Sequence, residues 1–265
     1  MTQSGETSST FQMRSNSIPT KTFTFKADVA SSEGANNVEL VRLYNDTCPY
    51  LTPPQKEDER VRQGIDGFPI VIFWDNGDSV SFVGKYNFNN DKGTEEVFGF
   101  VEGDESWEIL NNTGSRVLWK SADYSGSDWL NDFEGRYPDG YENPANLQAL
   151  AAWLVSTDQT AATGNALAES YTDVDGNVHT SDNAAYRLAK FKTEAPDHFE
   201  IDSAVYYYMF TELFLLVDSR AKNAFPSMLG GDKWCWLPYD MDTAIGINNE
   251  GALVFDYSLD RKSVV

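Results

Sequence analysis

Apolar and polar residues alternate along "KTFTFKA", with Phe23 and Phe25 set against Thr22, Thr24 and Lys26. A period of two predicts a half-buried strand. "FPIVIFW" (Phe68–Trp74) is apolar throughout, "DNGD" supplies a turn and "SVSFVGKYNF" returns, which together predict a hairpin. "EVFGFVEG" predicts a further strand, and the proline-led, charged "TPPQKEDERVRQG" a surface loop or short helix. From about Trp107 the period lengthens. "NPANLQALAAWLVSTD" carries Leu147, Leu150, Ala151 and Leu154 at helical spacing, with Pro144 near its start and Ser156–Asp158 beyond its end. "NAAYRLAKFKTEA" has the same character, with Asp182 or Asn183 as its N-cap. "SAVYYYMFTELFLLV" is apolar nearly all round and predicts a helix buried in the middle of a lobe. "DKWCWLPY" predicts a short buried strand that leads into Asp240.

This order predicts an α+β fold, with a β-rich part over residues 1–106 and a helical part over 107–265. A cleft between two such parts is a common place for a ligand. Composition agrees with a globular chain, 41% hydrophobic and 14% aromatic. Charge narrows the partners. Forty-one acidic residues against 20 basic ones give a net charge of −21, which repels nucleic-acid phosphates and anionic lipid and favours a basic protein or a metal cation. No apolar run is long enough to insert into a membrane, and the polar start "MTQSGETSST" lacks the layout of a signal peptide. Cys48 and Cys235 match no metal-ligand spacing and read as core thiols, with a disulfide between them as the alternative. With only His179 and His198, enzymatic chemistry has to rest on carboxylates, amides, Lys and Arg.

Those residue types concentrate in "LLVDSRAKNAFPSMLGGDKWCWLPYDMDTAIG", Leu215–Gly246. Asp218 and Asn223 form D-x-x-x-x-N directly after the most apolar helix, the spacing of a kinase catalytic loop. One loop must aim a carboxylate at a hydroxyl and fold back so that an amide oxygen reaches a metal. Asp240, at the end of the Trp-rich strand, stands where a kinase has its second metal-binding Asp, and hard oxygen ligands suit magnesium. The spacing alone also fits a capped loop and an acidic turn.

"DSRAKNAFPSMLGGDKWCWLPYDMDTAIG" resembles the CotH spore-coat kinase family, with its Asp–Asn loop, aromatic strand and Pro-aromatic-Asp-x-Asp segment. "RSNSIPTKTFTFKAD", "FPIVIFWDNGDSVSFVGKYNF" and "FEGRYP" (Phe133–Pro138) are similar to further segments of that family, so the resemblance runs with gaps from Arg14 to Gly246. It implies an atypical protein-kinase-like fold of two lobes, and transfer of the γ-phosphate of ATP to a Ser or Thr of a protein with Mg2+. Asp218 would be the base or hydroxyl-orienting group. Asn223 and Asp240 would hold the metal, with Asp242 as a second candidate. Lys21 would contact the nucleotide phosphates, Lys26 on the opposite strand face could exchange roles with it, and Arg14 would help clamp them. A solvated strand edge is the plain alternative for both lysines.

The chain departs from that pattern in several places. Asn90, followed by Asp91, stands where relatives carry a Glu, no glycine-rich loop is visible, and both ends read as clipped. A catalytically inactive structural protein of a spore coat, cell surface or phage virion is therefore the rival expectation, with an assembly partner in place of a substrate. A carbohydrate-binding surface module would draw on the seven tryptophans, most of which sit in core-like patterns. "YTDVDGNVHTS" begins like a calcium loop, but Ala184 stands where the bidentate Glu belongs, so Asp175-Gly176 predicts a hairpin turn.

Overall fold

A computed structural model describes residues 9–28, 34–110, 129–155, 170–172, 176–180, 184–216, 218–220, 222–248 and 250–254. The elements run β1 (Phe23–Lys26), α1 (Asn36–Thr47), α2 (Pro53–Glu57), β2 (Gly67–Asp75), β3 (Val80–Asn90), α3 (Glu95–Phe98), β4 (Glu105–Ile109), α4 (Trp129–Asp132) and β5 (Phe133–Tyr137). They continue with α5 (Ala145–Val155), β6 (Ser170–Thr172), β7 (Val178–Thr180), α6 (Ala184–His198), α7 (Ile201–Leu213), β8 (Ala224–Met228) and β9 (Trp234–Pro238). Helices and antiparallel sheets are mixed, as the α+β expectation has it. Among the described residues no helix is long and apolar enough to cross a membrane.

The first sheet has the order β1-β3-β2. Its hairpin forms where the apolar run and "DNGD" predict it: the Asn76 side-chain oxygen accepts the backbone N–H groups of Asp78 and Ser79 at 3.0 and 2.8 Å, fixing the turn. Phe73 faces Phe82, and a bulge follows Ile72. Phe25 faces Phe88 across β1 and β3 and stacks on it, ring centroids 5.3 Å apart. Beyond the span of β1 the hairpin extends alone.

The second sheet, β5-β4-β8-β9, lies in the core. Every residue of β4 is buried, including Trp107 and Ile109. Two of those residues are acidic and need partners. Glu105 accepts from the Trp107 indole and from the Asn146 amide, and burial raises its pKa against those bonds. Glu108 pairs with Lys92 at 2.7 Å and with Arg136.

Three sequence readings need correction. "EVFGFVEG" holds a helical turn, α3, not a strand: Val97 and Phe98 both bury against Phe225, Leu229 and Leu237, and Gly99, at φ +67°, ends the turn. Helix α1 was not foreseen at all, although it puts Val38, Val41 and Tyr44 into the core. Tyr44 meets Tyr206 and Phe210 of α7 edge-on, each at 5.2 Å. Helix α7 is not buried in the middle of a lobe. Tyr207 and Phe210 face inward, while Val205, Tyr208, Met209 and Leu213 are exposed.

Other expectations agree with the structure. β6 and β7 pair antiparallel around Gly176, at φ +85°, so the calcium-like stretch is a hairpin, with Asp175 and the N-caps Asp182 and Asn183 outside the described residues. Cys48 and Cys235 are free and buried. Trp107, Trp129, Trp153 and Trp234 are core residues, whereas Trp74 is 66% exposed.

Candidate active site

Strand β9 is paired along its whole length with β8, from Ala224↔Pro238 to Met228↔Trp234. Beyond it, Tyr239 stacks on Phe225 at 5.0 Å, and the chain reverses at Asp240, whose φ is +50°. A non-glycine residue in this left-handed region costs roughly 1–2 kcal/mol, least for Asp and Asn, and such residues gather at functional sites. The reversal is held by α1. The Asn37 side-chain amide donates to Asp240 Oδ1 at 3.2 Å, and its oxygen accepts the Met241 N–H at 3.0 Å. Asn37 is fully buried, and its bond to Met241 lies out of water, while the bond to Asp240 is part-buried. Lys26, the last residue of β1, completes the arrangement through an ion pair with the same Asp240 oxygen. Its ammonium also lies 5.6 Å from the centre of the Tyr239 ring.

Two further carboxylates stand near this pair. Burial, then the Asp240 charge, pushes the Asp242 carboxyl up to about 6, with Asp28 and Asp218 adding to the effect and Lys26 opposing it. Burial likewise raises Asp28, against the backbone N–H of Asn37, the charge of Lys26 and the amide of Asn87. Asp28 Oδ1 is buried without a hydrogen-bond partner. The electrostatics describe a site with more negative charge than its protein partners neutralise.

Asp218 reaches the site from the other side. Segment 240–246 crosses from α1 to the end of α7, where Ile245 and Gly246 donate to the carbonyls of Phe214 and Leu215 at 2.6 and 3.2 Å. On that crossing, Thr243 donates to Asp218 Oδ1 at 3.3 Å. Lys222 pairs with Asp218 Oδ2 at 2.8 Å, and the Lys222 N–H donates to the Asp218 carbonyl at 2.9 Å, closing one turn of loop. The Tyr207 hydroxyl binds the Ser219 carbonyl and ties this loop to α7. Asn223, also left-handed at φ +59°, donates its N–H to the carbonyl of Ile109 at 2.8 Å, where β8 begins beside β4.

The structure thus brings Lys26, Asp240, Asp242 and Asp218 into one electrostatic neighbourhood. Lys21 is exposed before β1. Arg14 is elsewhere, pairing with Asp66 at 3.4 Å and donating to the Gly67 carbonyl. Asn90 is buried and accepts the Asp66 N–H, while Asp91 accepts the Gly93 N–H at 2.8 Å. Among the described residues Asp240 is the carboxylate paired with Lys26. "FEGRYP" supports the site at one remove. Its Arg136 binds Glu108, Glu108 binds Lys92, and the Lys92 ammonium lies 5.3 Å from the Tyr239 ring that Lys26 also approaches.

Sequence reading missed Asp28, Asn37, Lys222 and Thr243. Only Lys222 carried a local signal, its position beside Asn223 inside the Asp–Asn loop. Among the described residues no three acidic, Cys or His side chains form a ready-made metal centre. The donor set still fits a hard cation that shares its shell with water and phosphate oxygens: all oxygen, crowded with charge, and including the unpartnered Asp28 Oδ1.

Residues 141–264 match the family model described as CotH kinase protein. This stretch is similar to the CotH kinase family. The CotH match contains Asp218, Asn223, Asp240 and Asp242, and leaves Arg14, Lys21 and Lys26 outside its bounds. No curated protein matches the chain.

Proposed function

We propose that this chain is a CotH-like atypical protein kinase with a kinase-like two-lobe fold, transferring the γ-phosphate of ATP to a Ser or Thr hydroxyl of a protein. The observation that carries this reading is the meeting of Lys26 and Asp240, from segments more than two hundred residues apart, beside the Asp–Asn loop of the CotH stretch. Asp218, held by Thr243 and Lys222, would orient the acceptor hydroxyl. As the new P–O bond forms and the bond to ADP breaks, it would take the hydroxyl proton. Lys26 would exchange part of its contact with Asp240 for phosphate oxygens. Lys222 would offset the charge that gathers on the transferred group. Asp240 and Asn223, with Asp242 as a further ligand, would hold Mg2+, which when bound neutralises phosphate charge. A basic Ser/Thr-containing protein is the substrate that suits a surface of net charge −21. The expected result is Mg2+-dependent transfer from labelled ATP that disappears in Asp218→Ala and Asp240→Ala. Equal labelling by the parent and both variants would sink the proposal.

One observation favours a second reading, a kinase-like structural protein of a spore coat, cell surface or virion that lacks turnover. Lys26 has no carboxylate partner apart from the proposed metal ligand among the described residues, and the buried Asn90 offers none. Melting with ATP and Mg2+ separates the readings, because a bound ligand raises apparent stability. A kinase site gives a rise that Lys26→Ala abolishes, and an inert scaffold gives no rise.

A further inference from the structure

A polar cleft of about 80 Å³ lies between the Arg14–Ser17 turn, α1 and the segment before β2. Arg14, Arg42 and Arg62 line it, together with Asn16, Asn45, Asp46, Ile65 and Asp66. None of Lys26, Asp28, Asp218, Asp240 or Asp242 does, so the cleft is separate from the carboxylate site. Three guanidinium groups converging in a chain of net charge −21 need a reason, since like charges repel and acids are abundant elsewhere.

The carboxylates present do not supply that reason. Arg42 stands 3.6 Å from Glu39 and 3.8 Å from Asp46, too far for a hydrogen bond to either. Arg62 spends its N–H groups on the backbone carbonyls of Asn16, Glu59 and Val61 and, among the described residues, meets the acid Asp58 only through its charge, not through a direct ion pair. Only Arg14 is directly paired, with Asp66. Contacts with the Gly67 and Asn16 carbonyls hold Arg14 and Arg62 in place, Arg14 with Asp66 as its counter-ion and Arg62 without a carboxylate in direct contact among the described residues.

We infer that this cleft is an anion site for a phosphate monoester, carried either by a free small molecule or by a phosphoserine of a protein. A planar guanidinium fork matches phosphate oxygens; Arg42 makes no hydrogen bond to a carboxylate and can present its fork, while Arg14 and Arg62, held on backbone carbonyls, add positive charge beside it. The inference does not depend on kinase activity, and its test needs neither ATP nor Mg2+.

The test is calorimetric titration of the full chain with inorganic phosphate, with a phosphoserine peptide and with the same peptide unphosphorylated, at matched ionic strength. Phosphate or phosphopeptide should bind, and Arg42→Gln should weaken binding by about tenfold, the loss expected when one charged contact is removed. Arg42 lies on the exposed face of α1, so this variant keeps the fold. Arg62→Lys, which retains charge but loses the fork, should bind at an intermediate level. Binding of inorganic phosphate alone identifies a free small phosphate as the source, and binding of the phosphopeptide above its unphosphorylated form identifies the protein-borne group. Absence of heat with all three ligands, or binding that Arg42→Gln leaves unchanged, overturns the site.

Discussion

The two sheets solve opposite problems. In β5-β4-β8-β9 nearly every position that faces another element is closed off, and even the acidic residues of β4 are buried with partners. In β1-β3-β2 the far half of the hairpin stands clear, with Phe73, Trp74, Val80 and Phe82 each more than half exposed. The first sheet in chain order carries Lys26 at its supported end, opposite the buried Asn87, while the second leads into Asp240 from a five-pair ladder.

The contrast is broken most severely by Trp107→Ala. This fully buried ring should cost about 3–5 kcal/mol in urea unfolding. Glu108→Ala should come next, at about 3 kcal/mol, because it strands Lys92 and Arg136 against a buried strand. Asp242→Asn should act in the other direction. Asp242 titrates near 6, above its ordinary value, so ionising it costs stability as pH rises from about 4 through 6. The variant should gain about 1–2 kcal/mol at pH 7.5 in the absence of ligand, and the gain should vanish below pH 4. Trp74→Ala sharpens the comparison from the loose side, with a shift within about 0.5 kcal/mol despite the loss of a large ring. A loss at Trp74 comparable to that at Trp107 would show that the hairpin is covered in solution.

What could be read from the chain follows the same division. The β2–β3 hairpin was legible because a seven-residue apolar run and a turn dictate it locally, and α5 and β9 because their own residues set the period. Helix α1 was hidden by the polar residues that do its work. Asn36, Asn37, Arg42, Asn45 and Asp46 surround the three core positions Val38, Val41 and Tyr44 and mask their spacing. The exposed stripe of α7 shows the converse, since apolarity all round says that a helix has packing partners to offer, not which faces receive them. Within the site, the kinase-like spacing pointed to Asp218, Asn223 and Asp240. The roles of Asp28 and Asn37 arise only when α1 meets the end of β9, a contact across 203 positions in the case of Asn37 and Asp240. No local pattern encodes such a meeting.

The backward bend at Asp240 has a consequence for what evolution or an engineer could place there. Glycine would relax the main chain but abolish the negative group, and asparagine would keep the permitted shape while surrendering the charge. Glutamate would preserve the charge yet fit the bend poorly and overshoot Lys26 by one carbon. Two independent filters, one on the torsion and one on the headgroup, therefore pass the same amino acid.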